Sequence, residues 1–147
     1  MNHIPIVYSL LLLTSAAAIR ASDDPPPACA GSESANPSVV RLVAPAYPIA
    51  ANDVRVQGVV RLALQVAPSG AVASVTECRV IPFLTPACSG AAKQWRFPVV
   101  DTSETRVALL TCRFVLDDAD SNNDPVVFVA PGELQIHGRA SKVRPIE

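Results

Sequence analysis

The sequence is poor in histidine, the side chain most often used for proton transfer and for binding transition metals near neutral pH. The chain has 147 residues and only two histidines, His3 and His137. If about twenty N-terminal residues are removed on export, only His137 remains. This nearly excludes a histidine-based catalytic triad and a metal site with several histidine ligands. We therefore expect no enzyme activity, no cofactor and no metal.

Aromatic residues are also few, and neither positive nor negative charge is in large excess. Aromatic residues make up 5% of the chain, and the formal net charge is -1. The chain therefore has neither the basic surface nor the stacking surface typical of a nucleic-acid partner. Hydrophobic residues, in contrast, make up 50% of the chain. That content is sufficient for the core of a single domain.

The N-terminal apolar run is short for a membrane span. Residues 4–18 carry no charge, and this run of about 15 residues is below the roughly 20 that cross a bilayer. Small residues follow the run. We interpret residues 1–21 as a signal peptide. The alternative is an uncleaved anchor in the inner membrane.

Four cysteines follow this segment: Cys29, Cys78, Cys88 and Cys112. No two of them have the C-x-x-C spacing, so neither a thioredoxin-like redox site nor a zinc ribbon is indicated. An even number of cysteines after an export signal favours disulfides. The sequence by itself allows three pairings of four cysteines.

Composition and periodicity divide the exported part into segments. Residues 22–40 are rich in proline and serine, which predicts an exposed linker. A half-buried strand is predicted at residues 59–66 because every second side chain is apolar, at Val60, Leu62, Leu64 and Val66. Pro-Ser-Gly at residues 68–70 predicts a hairpin turn in which Gly70 takes a positive φ. A second strand is predicted at residues 72–80.

A short amphipathic helix is predicted next, because apolar residues recur at helical spacing at Cys88, Ala91, Ala92 and Trp95. A third strand is predicted at residues 106–116. The loop at residues 117–125 contains four aspartates, but it lacks the glycine and glutamate positions of a calcium loop, so we interpret it as solvated. Residues 126–137 are interpreted as a possible small hairpin.

The predicted order of strand, strand, helix and strand indicates an α+β fold. We expect a small antiparallel three-stranded sheet of order 2-1-3 with one or two short helices on one face. In this arrangement the third strand is outermost. The domain is predicted at residues 41–117, followed by a polar loop and C-terminal extension at residues 118–147.

An ordered set of short motifs runs through residues 45–116: Tyr47-Pro48, Ala51, Val56-Gln57-Gly58, Ser69-Gly70 and Trp95-Arg96-Phe97-Pro98. In this order the motifs resemble the C-terminal domain of the TonB family. The resemblance implies the same fold and places the domain in the periplasm. It also implies a disulfide between Cys78 and Cys88, because some members of the family carry cysteines at those two places.

The resemblance further implies a protein-interaction module associated with TonB-type envelope transport. In that family an edge strand pairs with a receptor peptide through main-chain hydrogen bonds. The implied partner is an outer-membrane receptor or another envelope protein, or a second copy of the chain. A membrane is a partner only if the N-terminal segment stays uncleaved. The implied interaction edge is the third strand, with outward-facing Val107, Leu109, Thr111, Arg113 and Val115.

A second interpretation is a secreted structural or inhibitor-like domain that keeps the fold without receptor coupling. The state of the third strand's edge distinguishes the two interpretations. If this edge is free, a partner peptide can pair with it. If residues 126–137 pair with it, peptide pairing is blocked. Among the motif residues, Tyr47-Pro48 is interpreted as a packing element, and Gly58 as a requirement of the backbone. Trp95 and Phe97 are interpreted as core. His137 is interpreted as solvated.

Overall fold

The computed structural model describes residues 27–30 and 38–140, so the predicted signal peptide at residues 1–21 lies outside the described residues. This part of the chain contains a 3₁₀ turn, two short helices and five strands. In chain order these are the turn at Pro27–Cys29, α1 at Ile49–Asp53, β1 at Gly58–Val66, β2 at Val72–Arg79, α2 at Leu84–Ala92, β3 at Arg106–Asp117, β4 at Val126–Ala130 and β5 at Glu133–Arg139. Neither helix is long and apolar enough to cross a membrane.

The strands form one mixed sheet of order β2-β1-β3-β5-β4. β1 is antiparallel to both β2 and β3, β5 runs parallel to β3, and β4 is antiparallel to β5. The prediction of a small three-stranded antiparallel sheet is therefore wrong. The reason is that the segment read as a C-terminal extension supplies two further strands, one of which pairs directly with β3.

β5 joins the sheet because it buries its own apolar side chains against the same core as β3. Leu134 and Ile136 are each about as buried as the core residues of β1, and their Cα partners in β3 are Cys112 and Phe114. The apolar face of β3 thus continues across β5. A parallel pair requires a connection that returns the chain to the same end of the sheet, and here β4 provides that return.

The β1–β2 turn is the place where a glycine is required. Gly70 has a φ of +85°, and a Cβ atom there would overlap the carbonyl oxygen of Phe97. The N–H of Phe97 also donates to the carbonyl of Gly70 at 2.8 Å. The turn is thereby joined to the chain that follows α2.

The core lies between the sheet and α2, which packs against β1, β2 and β3. The alternating side chains of β1 are buried there, together with Trp95 and Phe97, which follow the helix. β5 and β4 extend the sheet past β3 on the side away from β1. The segment at residues 38–43 is held to the end of the helix region, since Arg96 donates to the carbonyl of Arg41 and accepts from Val40 at 2.9 and 2.8 Å.

The four cysteines form two disulfides, Cys29–Cys78 and Cys88–Cys112. The prediction that the cysteines are oxidised is confirmed, but the predicted Cys78–Cys88 pairing is wrong. Cys88 lies on the buried side of α2 and Cys112 on the buried side of β3, so the two meet in the core. Cys29 ends the 3₁₀ turn, which contacts β1 and β2, and it reaches Cys78 there. Part of the predicted linker is therefore tied to the domain.

Candidate functional site

The predicted interaction edge in β3 is not a terminal strand of the sheet. β3 lies between β1 and β5. Thr111 is opposite Arg61 of β1 and Glu133 of β5, and its N–H donates to the carbonyl of Gly132 at 2.7 Å. The prediction of an edge along Val107, Leu109, Thr111, Arg113 and Val115 is therefore wrong. Arg113 instead forms an ion pair across the β3–β5 pair with Glu133 at 3.6 Å.

The two outer strands of the described sheet are β2 and β4. β2 carries Glu77 and Arg79 and is linked to the N-terminal turn through Cys78. Charged side chains on an edge oppose the addition of another strand. β4 has the sequence Val-Val-Phe-Val-Ala with no charged or polar side chain. β4 is therefore the edge to which a further strand adds most readily.

The register of β4 shows which of its main-chain groups point outward. The N–H of His137 donates to the carbonyl of Pro125 at 2.9 Å. Hydrogen-bonded and non-hydrogen-bonded pairs alternate along an antiparallel ladder. Val127 opposite Gln135 is therefore the next hydrogen-bonded pair. The N–H and C=O groups of Val126 and Phe128 consequently point away from β5, toward the free edge.

An apolar groove of about 460 Å³ lies beside this edge, between the β4–β5 hairpin and the segment that precedes α1. Trp95 forms part of its lining, is 2% exposed, and donates from Nε1 to the carbonyl of Val43 at 2.8 Å. On the strand side, Phe128 and Val129 remain 58% and 54% exposed. The lining residues are Ser38, Val39, Leu42, Trp95, Phe128, Val129, Ala130, Pro131, Gly132 and Leu134.

The groove exists because β4 and β5 carry the sheet beyond the strands that α2 covers. On the side of the groove opposite the strands, the segment at residues 38–43 contributes Ser38, Val39 and Leu42 to the lining. Among the residues that the structure describes, none with a charged side chain lines the groove. The groove therefore accommodates an apolar group of a ligand or partner.

The Tyr47-Pro48 motif serves packing in the described structure. The ring of Tyr47 contacts Phe114 edge to face with centroids 5.5 Å apart, and its hydroxyl donates to the carbonyl of Val56. Burial raises the pKa of Tyr47. Of the other motif residues, Gly58 has a φ of +147° and lies against Ile81. Gly70 forms the β1–β2 turn, and Trp95 and Phe97 lie in the core.

A polar cluster lies at the other end of β4, where the loop at residues 118–125 enters the strand. Oδ2 of Asp117 is 2.7 Å from Nδ1 of His137 and accepts from Nδ2 of Asn123 at 2.9 Å. The side chains of His137 and Asp117 are only 12% and 14% exposed. The interpretation of His137 as solvated is therefore wrong, because β5 places it beside the last residue of β3.

This cluster acts as a clamp that holds the loop to the sheet. Within residues 27–30 and 38–140, no group of three or more His, Cys, Asp or Glu side chains is arranged to hold a metal ion. The hydrogen bond from Asn123 lowers the pKa of Asp117, and the hydrogen bond and charge of His137 act in the same direction. The cluster therefore ties β3, β5 and the start of β4 together.

The lowered pKa predicts a pH dependence of stability. Because the carboxylate of Asp117 is favoured in the folded state, its contribution is fully present above the unfolded pKa of about 3.9 and is lost as the pH falls through the folded pKa. Asp117→Asn is expected to be destabilising near neutral pH, and its difference from wild type should vanish in strong acid. Urea unfolding across this range measures it. Asp118→Asn is the control, and an equal effect of both variants would contradict the clamp.

No family model and no curated protein matches this chain. Sequence reasoning missed the β4 edge and the groove. A signal was present, since the uncharged run at residues 126–130 stands between an acidic loop and a Pro-Gly turn.

Proposed function

We propose that this chain is an exported protein-interaction module of the cell envelope, similar to a TonB C-terminal domain. It binds an extended segment of a partner, such as an outer-membrane receptor, by pairing that segment with β4. In this binding mode main-chain hydrogen bonds provide attachment, and pockets for alternate side chains provide selectivity. No chemical step is assigned to the protein.

The observation that carries this proposal is the character of β4. It is an outer strand whose five side chains are all apolar, and the main-chain groups of Val126 and Phe128 point outward. Soluble proteins usually protect such an edge with charge, proline or a covering loop. Here prolines stand only before and after the strand, at Pro125 and Pro131. Within residues 27–30 and 38–140, no further strand pairs with this edge, and such an edge next to an apolar groove supports a binding role.

Two features support an exported module. The disulfides Cys29–Cys78 and Cys88–Cys112 are of the kind that persists in oxidising compartments. The apolar segment at residues 4–18 followed by small residues has the form of a secretory signal. The disulfides, the signal-like segment and the TonB-like motifs are all consistent with a location in the periplasm.

A peptide selection tests the proposal. A random peptide library is panned against the exported, disulfide-bonded protein, and the enriched peptides are synthesised. Amide hydrogen exchange is then measured by NMR with and without peptide. We expect the N–H groups of Val126 and Phe128 to exchange slowly only when peptide is bound. Binding that leaves both amides unprotected would contradict pairing at β4.

A pair of variants separates the main chain from the side chain at this edge. Phe128→Ala removes the ring but keeps the N–H, whereas Phe128→Pro also removes the outward N–H and leaves the bonds to β5 intact. Proline is tolerated at such an edge position. We expect Phe128→Pro to bind at least about tenfold more weakly than Phe128→Ala, since its pairing bond is lost. Circular dichroism checks that both variants fold, and equal affinities would oppose strand pairing.

A further inference from the structure

We infer that two copies of this chain, when no partner segment is bound, pair through their β4 strands in antiparallel orientation. Val127 of one copy then faces Val127 of the second copy across a two-fold axis. This inference goes beyond the proposed function and does not depend on it, because a second copy and a partner segment compete for the same edge. It follows from the register of β4, the faces of its side chains and the charge beside the strand.

The outward main-chain groups of β4 are spaced so that the strand is complementary to itself. These groups belong to Val126 and Phe128, since Val127 bonds inward to Gln135. In an antiparallel pair, two opposite residues exchange both of their N–H···O bonds. With Val127 on the axis, Val126 of each copy lies opposite Phe128 of the second copy. Every outward group of these two residues therefore gains a partner.

The side chains of β4 suit this register on both faces of the sheet. Val126 and Phe128 lie opposite Ile136 and Leu134 of β5, which are buried, so they project to the helix side. Across the axis each Phe128 meets Val126 of the second copy, and such aromatic and β-branched pairs stabilise antiparallel sheets. Val127 projects to the opposite face. Phe128 is 58% exposed and Val127 38% exposed, so pairing removes apolar surface from water.

The charge beside the strand selects the antiparallel orientation. Residues 117–125, which lead into β4, contain four aspartates and neither lysine nor arginine. A parallel pair would bring two of these acidic loops together, which is unfavourable. In the antiparallel pair the two loops lie at opposite ends of the contact. Each loop then lies beside the uncharged Ala-Pro-Gly stretch at residues 130–132 of the second copy.

The other outer strand limits the assembly to two copies. A two-fold contact uses the same surface of both molecules and closes on itself. After pairing, β2 forms both outer edges of the joined sheet. It carries the exposed Glu77 and Arg79, and such charges oppose the addition of another strand. Because the contact is short, we expect a weak dimer and not a filament.

A charge exchange at the two-fold axis tests the inference. Sedimentation velocity of the exported, disulfide-bonded protein is measured between about 1 μM and 1 mM. The proteins are wild type, Val127→Lys, Val127→Asp and an equimolar mixture of these two variants. Val99→Lys and Val99→Asp are the matched controls, since Val99 is 76% exposed and lies outside the strands. Circular dichroism checks that all variants fold.

We expect the wild-type protein to form dimers in this concentration range. Each Val127 variant should dimerise about tenfold more weakly, because identical charges lie directly opposite each other at the axis. The mixture should form a heterodimer at least about fivefold tighter than either variant alone, because lysine then faces aspartate. The Val99 variants should dimerise like wild type.

Three results would overturn the inference: a wild-type protein that stays monomeric up to the highest concentration, a dimer unaffected at Val127, or folded variants that do not associate when mixed. The proposed function is tested separately by the protection of the Val126 and Phe128 amides in dilute protein with peptide. A dimer without peptide protection leaves this inference standing and rejects the proposed function. Peptide protection without a dimer does the reverse. If both hold, added peptide should convert the dimer into peptide-bound monomers.

Discussion

Replacing Trp95 with alanine is expected to lower the free energy of unfolding by about 3–5 kcal/mol, as for other large buried aromatics. The side chain is 2% exposed, and its ring lies 6.3 Å from that of Phe97. The substitution leaves a cavity between the sheet and the end of α2. It also removes the hydrogen bond from Nε1 to the carbonyl of Val43. Because Trp95 is the single tryptophan of the chain, urea unfolding is followed by circular dichroism.

Two further variants make this result specific. Trp95→Phe keeps most of the ring volume and is expected to cost less than Trp95→Ala, although it leaves the carbonyl of Val43 without its donor. Val99→Ala removes an apolar side chain that is 76% exposed, and it should change stability by no more than about 0.5 kcal/mol. A loss below about 1 kcal/mol for Trp95→Ala would show that this core is not packed as described.

Removing the Cys88–Cys112 disulfide is expected to destabilise the protein by about 3 kcal/mol on the chain-entropy model. The bond joins α2 to β3 over a sequence separation of 24 residues. Both cysteines are fully buried, so the double variant Cys88→Ala/Cys112→Ala leaves no buried polar group behind. Thermal and urea unfolding under non-reducing conditions measure the loss.

The second disulfide provides the matched comparison. Cys29–Cys78 closes a longer loop, with a separation of 49 residues, and each doubling of loop length adds only about 0.6 kcal/mol. We therefore expect Cys29→Ala/Cys78→Ala to be destabilising to a similar extent. Mass mapping of peptides without reduction identifies the pairs directly. Recovery of a Cys78–Cys88 peptide would refute both bonds.

The buried face of β1 could be predicted from the alternation of apolar side chains in the sequence. Val60, Leu62, Leu64 and Val66 are all buried in the structure. The glycine of the following turn was readable as well, because Gly70 takes the positive φ that the turn requires. Both features depend on neighbouring residues, so a local pattern is sufficient to predict them.

The strand that lies at the edge of the sheet could not be predicted from such a local pattern. β5 buries only Leu134 and Ile136 together with Gly138, a pattern too short to indicate which strand it joins. Its parallel pairing with β3 connects residues that are about twenty positions apart and depends on the core that both strands share. For this reason the sequence placed the interaction surface on β3, whereas β3 is central and the outer strands are β2 and β4.

The sequence by itself determined the apolar faces of β1 and β3, the turn at Gly70 and the oxidation of the cysteines. The tertiary structure alone decided which strands are neighbours, which cysteines meet, and that His137 lies against Asp117. The physical reason is that periodicity shows which side chains are buried, but not which main-chain groups find a partner. A strand with an apolar face can be central or terminal, and only the packing of the whole sheet left β4 at its edge.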